Sequence, residues 1–82
     1  MARLHYYAPL RGVIGRETDE AEVATVGDAL RFIKTTYGKD AFKCAKAALI
    51  VVNGTSMDAY QGRKTILKAD DTVGFLPLSG GG

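Results

Sequence analysis

The residues of this sequence with the most specific chemistry are the glycines that follow Ser79, namely Gly80, Gly81 and Gly82. Because glycine has no Cβ atom, a run of glycines can pass through a channel too narrow for other residues. Four extended residues span at most about 13–14 Å, which is enough to carry a terminal carboxylate into a partner's active site. The pattern predicts that the reactive atom is the carboxyl carbon of Gly82. Gly80 and Gly81 would form the part of the tail that passes through the channel.

Two other interpretations of this tail remain open. It could be a frayed end without a role, or a linker left by cloning, since Ser-Gly-Gly-Gly has ordinary linker composition. Chance is a poor explanation, because glycine makes up about 7% of average residues and three in a row at a chosen site arise roughly three times in ten thousand.

The other candidate chemical groups favour structural roles. Cys44 would need a positioned base to act as a nucleophile, and the one histidine, His5, lies 39 residues earlier. One cysteine and one histidine also fall short of a four-ligand zinc site, so no metal is expected. Asp70 and Asp71 are adjacent, and on extended chain their side chains point to opposite faces, which predicts a solvated turn.

The composition is typical of a single compact domain. The chain has 82 residues, of which 46% are hydrophobic and 24% charged. This length is about half of the typical length of a protein domain. Its net charge of +2 is divided into blocks, with five acids and no bases in 17–28 and five bases against one acid in 29–46. A protein that binds nucleic acid normally has a larger excess of basic residues, with aromatic side chains that stack on the bases. We therefore do not expect nucleic acid to be a partner.

The chain also contains no apolar run near the ~20 residues of a membrane helix, and its first residues lead into an alternating pattern rather than a signal-peptide core. We therefore expect a soluble cytoplasmic protein with no membrane partner.

The first half of the chain predicts two strands and a helix. Residues 2–8 and 18–24 alternate as strands do. Residues 26–37 place apolar side chains at helical spacing, with Thr25 as the cap before the helix and Gly38 as its stop.

The second half predicts a helical turn over 40–46 and strands over 47–52, 65–68 and 72–77, with tight turns at Asn53-Gly54 and Gln61-Gly62. The order β-β-α-β-β-β predicts an α+β fold of the β-grasp class, a mixed sheet of four to five strands with one main helix packed on one face. A right-handed crossover predicts that the third strand pairs in parallel with the first. Residues 1–78 would form this domain, and 79–82 a flexible tail.

The ending of the chain resembles that of a known family. Residues 73–82, Val-Gly-Phe-Leu-Pro-Leu-Ser-Gly-Gly-Gly, are similar to the pattern Val-Ala-Phe-Phe-Pro-Pro-Val-x-Gly-Gly of the ubiquitin-like sulfur carriers, specifically the molybdopterin synthase small subunit (MoaD-like) family. Counting from Pro77, the family's terminal glycine falls on Gly82 without a gap. The variable position before the glycine pair falls on Gly80.

Other segments extend the resemblance over nearly the whole chain. Residues 6–15 resemble the family's aromatic-aromatic-Ala-x-Leu-Arg-x-x-x-Gly, residues 25–30 its helix entry, and residues 51–53 its central strand and turn. The chain departs from the family at Asp70, which stands where a glycine is usual, and between 53 and 67, where it is several residues longer.

The resemblance implies a carrier without catalytic residues of its own and without a bound cofactor. An ATP-dependent activating enzyme would adenylate the Gly82 carboxylate, a sulfur donor protein would supply the sulfur of a thiocarboxylate, and the large subunit of molybdopterin synthase would use it. The implied partner-binding residues are Tyr7, Leu76, Phe75 and Arg11.

Three alternatives remain open. Two share the tail chemistry: a sulfur carrier for thiazole (thiamine) synthesis, and a ubiquitin-like modifier conjugated to lysines. The third is an interaction domain with an idle tail. The chain length and the Leu10-Arg11 segment favour the molybdopterin branch.

Overall fold

The computed structural model describes residues 1–77, which form five strands and three α-helices. The strands are β1 (Ala2–Tyr6), β2 (Thr18–Ala21), β3 (Leu49–Val52), β4 (Thr55–Ser56) and β5 (Thr72–Leu76), and the helices are α1 (Leu10–Ile14), α2 (Val26–Tyr37) and α3 (Lys39–Ala47). The predicted domain boundary at residue 78 and the tail 79–82 lie outside the described residues.

The strands form one mixed sheet in the order β2-β1-β5-β3-β4. The central strands β1 and β5 are parallel, and the other neighbouring pairs are antiparallel. The buried side chains of the sheet, such as Leu4, Tyr6 and Phe75, form one cluster with those of the helices, such as Val26 and Ile33. This arrangement confirms the predicted α+β, β-grasp class.

The predicted neighbour of the first strand was wrong. The parallel partner of β1 is β5, and β3 lies on the far side of β5 and is antiparallel to it. The crossover through α2 and α3 leaves from β2, and β2 is antiparallel to β1. A strand that returns parallel to β2 must therefore be antiparallel to β1, and the gap between β2 and β3 is filled by the two central strands.

Helix α2 matches its prediction. The Oγ1 atom of Thr25 accepts a hydrogen bond from the Asp28 N–H at 3.1 Å, which satisfies one of the free donors of the first turn. The helix buries Val26, Ala29, Leu30 and Ile33 and ends at Gly38, whose φ of 100° suits a residue without a Cβ. These four apolar residues pack α2 against the sheet.

The predicted helical turn over 40–46 is a nine-residue helix, α3, which buries Ala41 and Ala45. Within residues 1–77, no helix is long and apolar enough to cross a membrane.

Several other predictions differ from the structure. The second strand, predicted over 18–24, ends at Ala21. The first strand ends at Tyr6, and the chain after it forms α1 where only a turn was predicted. Residues 65–68 do not form a strand, because the Leu67 N–H donates to the Ala24 carbonyl and the Thr65 carbonyl accepts from Val26, both outside the sheet. The fifth strand of the sheet is instead the two-residue β4 after the Asn53-Gly54 turn.

A polar cluster under the helices joins β1, β2 and the end of α2. Asp19 Oδ2 accepts hydrogen bonds from the hydroxyls of Tyr6, at 3.0 Å, and of Tyr37. Asp19 also lies 3.4 Å from the Nε atom of Arg16. Burial and the bond to Asp19 raise the pKa of Tyr37 to about 12, and the same causes raise the pKa of Tyr6. Both phenols are therefore neutral donors at neutral pH.

We expect Asp19→Ala to lower the free energy of unfolding by about 2–3 kcal/mol, because it leaves the buried Tyr6 hydroxyl and the Tyr37 hydroxyl without their acceptor. Glu20→Ala, on the exposed side of the same strand, is the control and should change it by less than about 0.5 kcal/mol. Urea unfolding of both variants tests this, and equal stabilities would show that the cluster contributes nothing.

Candidate functional site

The candidate site is the sheet face that the helices leave uncovered. Because successive side chains of a strand point to opposite faces, Leu4 and Tyr6 are buried against the helices while His5 lies on the open face. Tyr7 continues this alternation just after β1, and its side chain is 39% exposed. On β5, Val73 and Phe75 face the helices and Leu76 faces outward.

Five side chains form what we call the open-face patch: His5, Tyr7, Leu49, Val51 and Leu76. Leu49 is directly opposite Leu76 in the pairing of β3 with β5, and Leu49 is 39% exposed. The imidazole of His5 stacks on the Tyr7 ring with centroids 5.7 Å apart. The patch is thus a largely apolar surface that spans strands β1, β5 and β3.

Gly74 makes this patch continuous across β5. A Cβ atom at Gly74 would lie 3.0 Å from Cγ2 of Val51 and 3.8 Å from Cε2 of Tyr7. The absence of a side chain therefore allows Val51 and Tyr7 to approach each other over the central strand.

A groove of about 400 Å³ adjoins the patch where the described chain ends. Tyr7 and Pro9 line one side, Cys44 and Ala48 another, and Leu76 and Pro77 the third. Strand β5 thus carries the chain to the edge of the patch at Pro77. The predicted reactive residues Gly80, Gly81 and Gly82 lie outside the described residues.

Of the predicted partner-binding residues, Tyr7 and Leu76 lie together on the open face, but Phe75 does not. The Phe75 side chain is fully buried and packs on the Tyr6 ring with centroids 5.8 Å apart. Strand alternation turns Phe75 toward the helices when Leu76 points outward, although Phe75 also lines the groove beside the patch. The predicted contact of Phe75 with a partner stays a prediction.

Arg11 lies on α1 beside the patch. Its backbone N–H donates to the Tyr7 carbonyl at 2.9 Å, and its exposed guanidinium is 3.6 Å from the carboxylate of Glu17. The predicted contact of Arg11 with a partner stays a prediction.

Leu49 and Val51 are patch residues that the sequence analysis missed. They belong to an unbroken apolar run, in which no polar residue marks which face is exposed. The exposed face becomes evident only from the pairing of Leu49 with Leu76.

The remaining candidates occupy structural positions. Cys44 is partly buried in the groove wall, and in the described part of the chain no group of three or more His, Cys, Asp or Glu residues could hold a metal. Asp71 accepts hydrogen bonds from the Lys68 N–H and the Asn53 side chain, which lower the pKa of its carboxyl. Asp70 needs no left-handed backbone, since among residues 1–77 the one non-glycine residue with positive φ is Asn53.

The comparisons with known proteins identify the family of this fold and tail. The sequence matches the model of the ThiS family over residues 4–82. The chain belongs to the ThiS family. No curated protein sequence matches it.

Solved structures similar to this ThiS-family chain come from several organisms. The putative molybdopterin converting factor, subunit 1, of Pyrococcus furiosus is 26% identical, with a TM-score of 0.73 over 93% of this chain and 94% of that one. Small archaeal modifier protein 1 of Methanosarcina acetivorans is 24% identical, with a TM-score of 0.84 over 99% of this chain and 95% of that one. A chain of the Amycolatopsis orientalis BexX/CysO complex is 20% identical, with a TM-score of 0.83 over the full length of both.

The last two similarities show the fold alone, whereas the family match covers the glycine tail as well. The chain is therefore a ubiquitin-like sulfur carrier of ThiS/MoaD type. Small carriers of this type are generally non-catalytic.

Proposed function

We propose that this sulfur carrier is the small subunit of a molybdopterin synthase and that Gly82 carries the sulfur as a thiocarboxylate. The observation that carries the proposal is the distance in sequence from Pro77 to Gly82, which equals that of the MoaD-like ending. The likeness to the putative molybdopterin converting factor subunit of Pyrococcus furiosus also supports it.

Activation is needed because a carboxylate is a poor electrophile. A carboxylate oxygen of Gly82 attacks the α-phosphorus of ATP on the activating enzyme, and pyrophosphate leaves. A sulfur nucleophile from the donor protein then attacks the acyl carbon of the adenylate and displaces AMP. When the nucleophile is the outer sulfur of a persulfide on the donor, the product is an acyl disulfide. A thiol reductant attacks the donor-side sulfur of that S–S bond, which frees the thiocarboxylate at Gly82 and leaves the donor in a disulfide with the thiol. ATP is a substrate of the activating partner, and the carrier itself holds no cofactor.

The open-face patch gives the carrier a surface by which partners hold it. We propose that Tyr7 and Leu76 contact the large synthase subunit and that Arg11 lies at the edge of the contact. A partner seated there receives the chain at Pro77, which places the tail close to its own active site and supplies proximity to the pterin precursor. The cytoplasm, where ATP is available, is the proposed location.

Two alternatives share the tail chemistry. The name of the matched family favours a thiamine-type carrier. The similar protein of Methanosarcina acetivorans is a small archaeal modifier protein, which favours conjugation to lysines. They differ from the main proposal in the acceptor of the activated Gly82.

Reconstitution with purified partners distinguishes these functions. The carrier is incubated with ATP, the activating enzyme and a sulfur donor, and its intact mass is measured; the reaction without ATP is the control. The thiocarboxylated protein is then given to the large synthase subunit with the pterin precursor, or to a thiazole synthase. We expect a thiocarboxylate that supports molybdopterin formation. Turnover with the thiazole enzyme alone, or lysine adducts in protein purified from its native cell, would contradict the proposal.

A further inference from the structure

A basic depression lies on the helix side of the sheet, away from the open-face patch. It has a volume of about 370 Å³, and its lining includes the cations Arg31, Lys34 and Arg63 and the acid Asp28 around an apolar base of Phe42 and the buried Leu30. These residues come from α2, from α3 and from the 3-10 turn Gly62–Lys64. The depression therefore exists only in the folded chain.

Two features of α2 build this depression. Arg31 and Lys34 are three residues apart and so lie on the same helix face. A Cβ atom at Gly27 would lie 3.3 Å from the carbonyl oxygen of Arg63 and 3.9 Å from its Cβ. The missing side chain at Gly27 therefore allows Arg63 to pack beside the first turn of α2.

The depression carries net positive charge, because the three cations Arg31, Lys34 and Arg63 line it together with one acid, Asp28. Within residues 1–77, Lys34, Arg63 and the neighbouring Lys46 have no carboxylate oxygen within 4.0 Å, and Arg31 is 3.9 Å from Asp28 while its side chain is 80% exposed. The ammonium groups of Lys34 and Lys46 lie 5.1 and 4.6 Å from the centroid of the Phe42 ring. The cations are thus held around an aromatic ring and remain open to solvent on their other side.

We propose that this basic depression is a second docking surface, which binds an acidic segment of a protein partner. The cationic rim is complementary in charge to the carboxylates of such a segment. The base formed by Leu30 and Phe42 can contact one apolar side chain that lies between those carboxylates. Because the depression and the open-face patch lie on opposite sides of the sheet, one partner can hold the carrier here while another engages the patch and the tail.

The same observations disfavour a polyanion or a membrane as the occupant. The π system of Phe42 is already in contact with two ammonium groups, so no base can stack there without displacing them. A flat anionic membrane would meet the rim and leave the depression unfilled.

The test is a titration of the full-length, ¹⁵N-labelled chain, followed by NMR, with the peptide acetyl-Asp-Glu-Leu-Asp-Glu-amide. We expect shifts centred on Phe42, Arg31 and Arg63, and affinity that falls with added salt. The variant Lys34→Gln/Arg63→Gln should bind about 3–10-fold more weakly. The control Lys39→Gln/Lys68→Gln removes the same charge from exposed positions outside the depression and should bind within about 2-fold of the unaltered chain. Thermal unfolding checks that both variants are folded.

The proposal is overturned if the control weakens binding as much as the test variant, or if the shifts map to the open-face patch. If a peptide with Ala in place of Leu bound as tightly as the original peptide, the apolar base would not contribute to recognition, and that part of the proposal would be wrong. Tighter binding of a single-stranded oligonucleotide or of phosphatidylserine vesicles, lost in the same variant, would assign the surface to nucleic acid or membrane. No step of this test uses sulfur chemistry, so its outcome is independent of the proposed function.

Discussion

Removal of Gly82 is expected to lower the rate of thiocarboxylate formation at least about 100-fold. The shortened chain still ends in two glycines, so the composition of the tail is preserved. Its carboxyl carbon is withdrawn by up to about 3.3–3.6 Å. Since a misplacement of about 1 Å can cost 100-fold in rate, the adenylating enzyme would no longer reach it productively.

Gly80→Ser is the matched control for this deletion. Both variants end in two glycines, but Gly80→Ser keeps the carboxylate at its original distance from Pro77. It changes only the position that is variable in the family resemblance, so it should be thiocarboxylated at nearly the unaltered rate. The assay is the intact mass after incubation with ATP, the activating enzyme and a sulfur donor. Equal rates for the deletion and the full chain would mean that Gly81 is the true end.

A residue added after Gly82 should also abolish activation. It moves the carboxylate outward and brings a side chain into the channel. Together, the deletion and this extension test whether activation requires the terminal carboxylate at its original distance from Pro77, since one variant shortens that distance and the other lengthens it. The same mass measurement applies to both.

The parts of the fold that depend on local sequence were predicted well. Helix α2 was predicted from Val26 to Tyr37 and is found there, because its apolar spacing, the Thr25 cap and the Gly38 stop act within one or two turns of chain. The Asn53-Gly54 turn was likewise predicted, and its two positive φ angles, 52° and 84°, are those that Asn and Gly tolerate best.

The parts that depend on distant contacts were not predicted. The pairing of β1 with β5 joins the two ends of the described chain, and no local pattern indicates which strand will fill the centre of the sheet. Asp19 was predicted only as part of the strand over 18–24, yet its carboxylate accepts hydrogen bonds from two tyrosine hydroxyls under the helices. Its role requires Tyr37, 18 residues later.

In the candidate site, too, some features follow from local sequence and others depend on distant contacts. The tail follows from the sequence alone, whereas the faces of Phe75 and Leu76 depend on which side of β5 the helices cover. The helices cover the side of Phe75, so Leu76 is the more exposed of the two. The basic depression also depends on packing, because the close approach at Gly27 lets Arg63 lie against α2.

Leu76→Asp is expected to weaken binding of the carrier to the large synthase subunit by at least about 30-fold, which corresponds to the ~2 kcal/mol of an interface hot spot. Leu76 lies opposite Leu49 on the open-face patch. A carboxylate there would have to be desolvated in the complex without a partner. Leu76→Ile keeps the apolar surface and should bind nearly as the unaltered chain does.

Ile66→Asp is the matched control for the charge. Ile66 is the most exposed of the large hydrophobic residues in the described chain, at 72%, and it lies outside the sheet, where it bridges to Thr25. The same apolar-to-acidic change there should leave binding within about 2-fold of the original, since surface substitutions away from an interface have small effects. Isothermal titration with the purified large subunit measures both, and urea unfolding confirms that Leu76→Asp is folded. If both variants lose affinity equally, net charge rather than the open-face patch governs the association; if neither does, the large subunit binds elsewhere on the carrier.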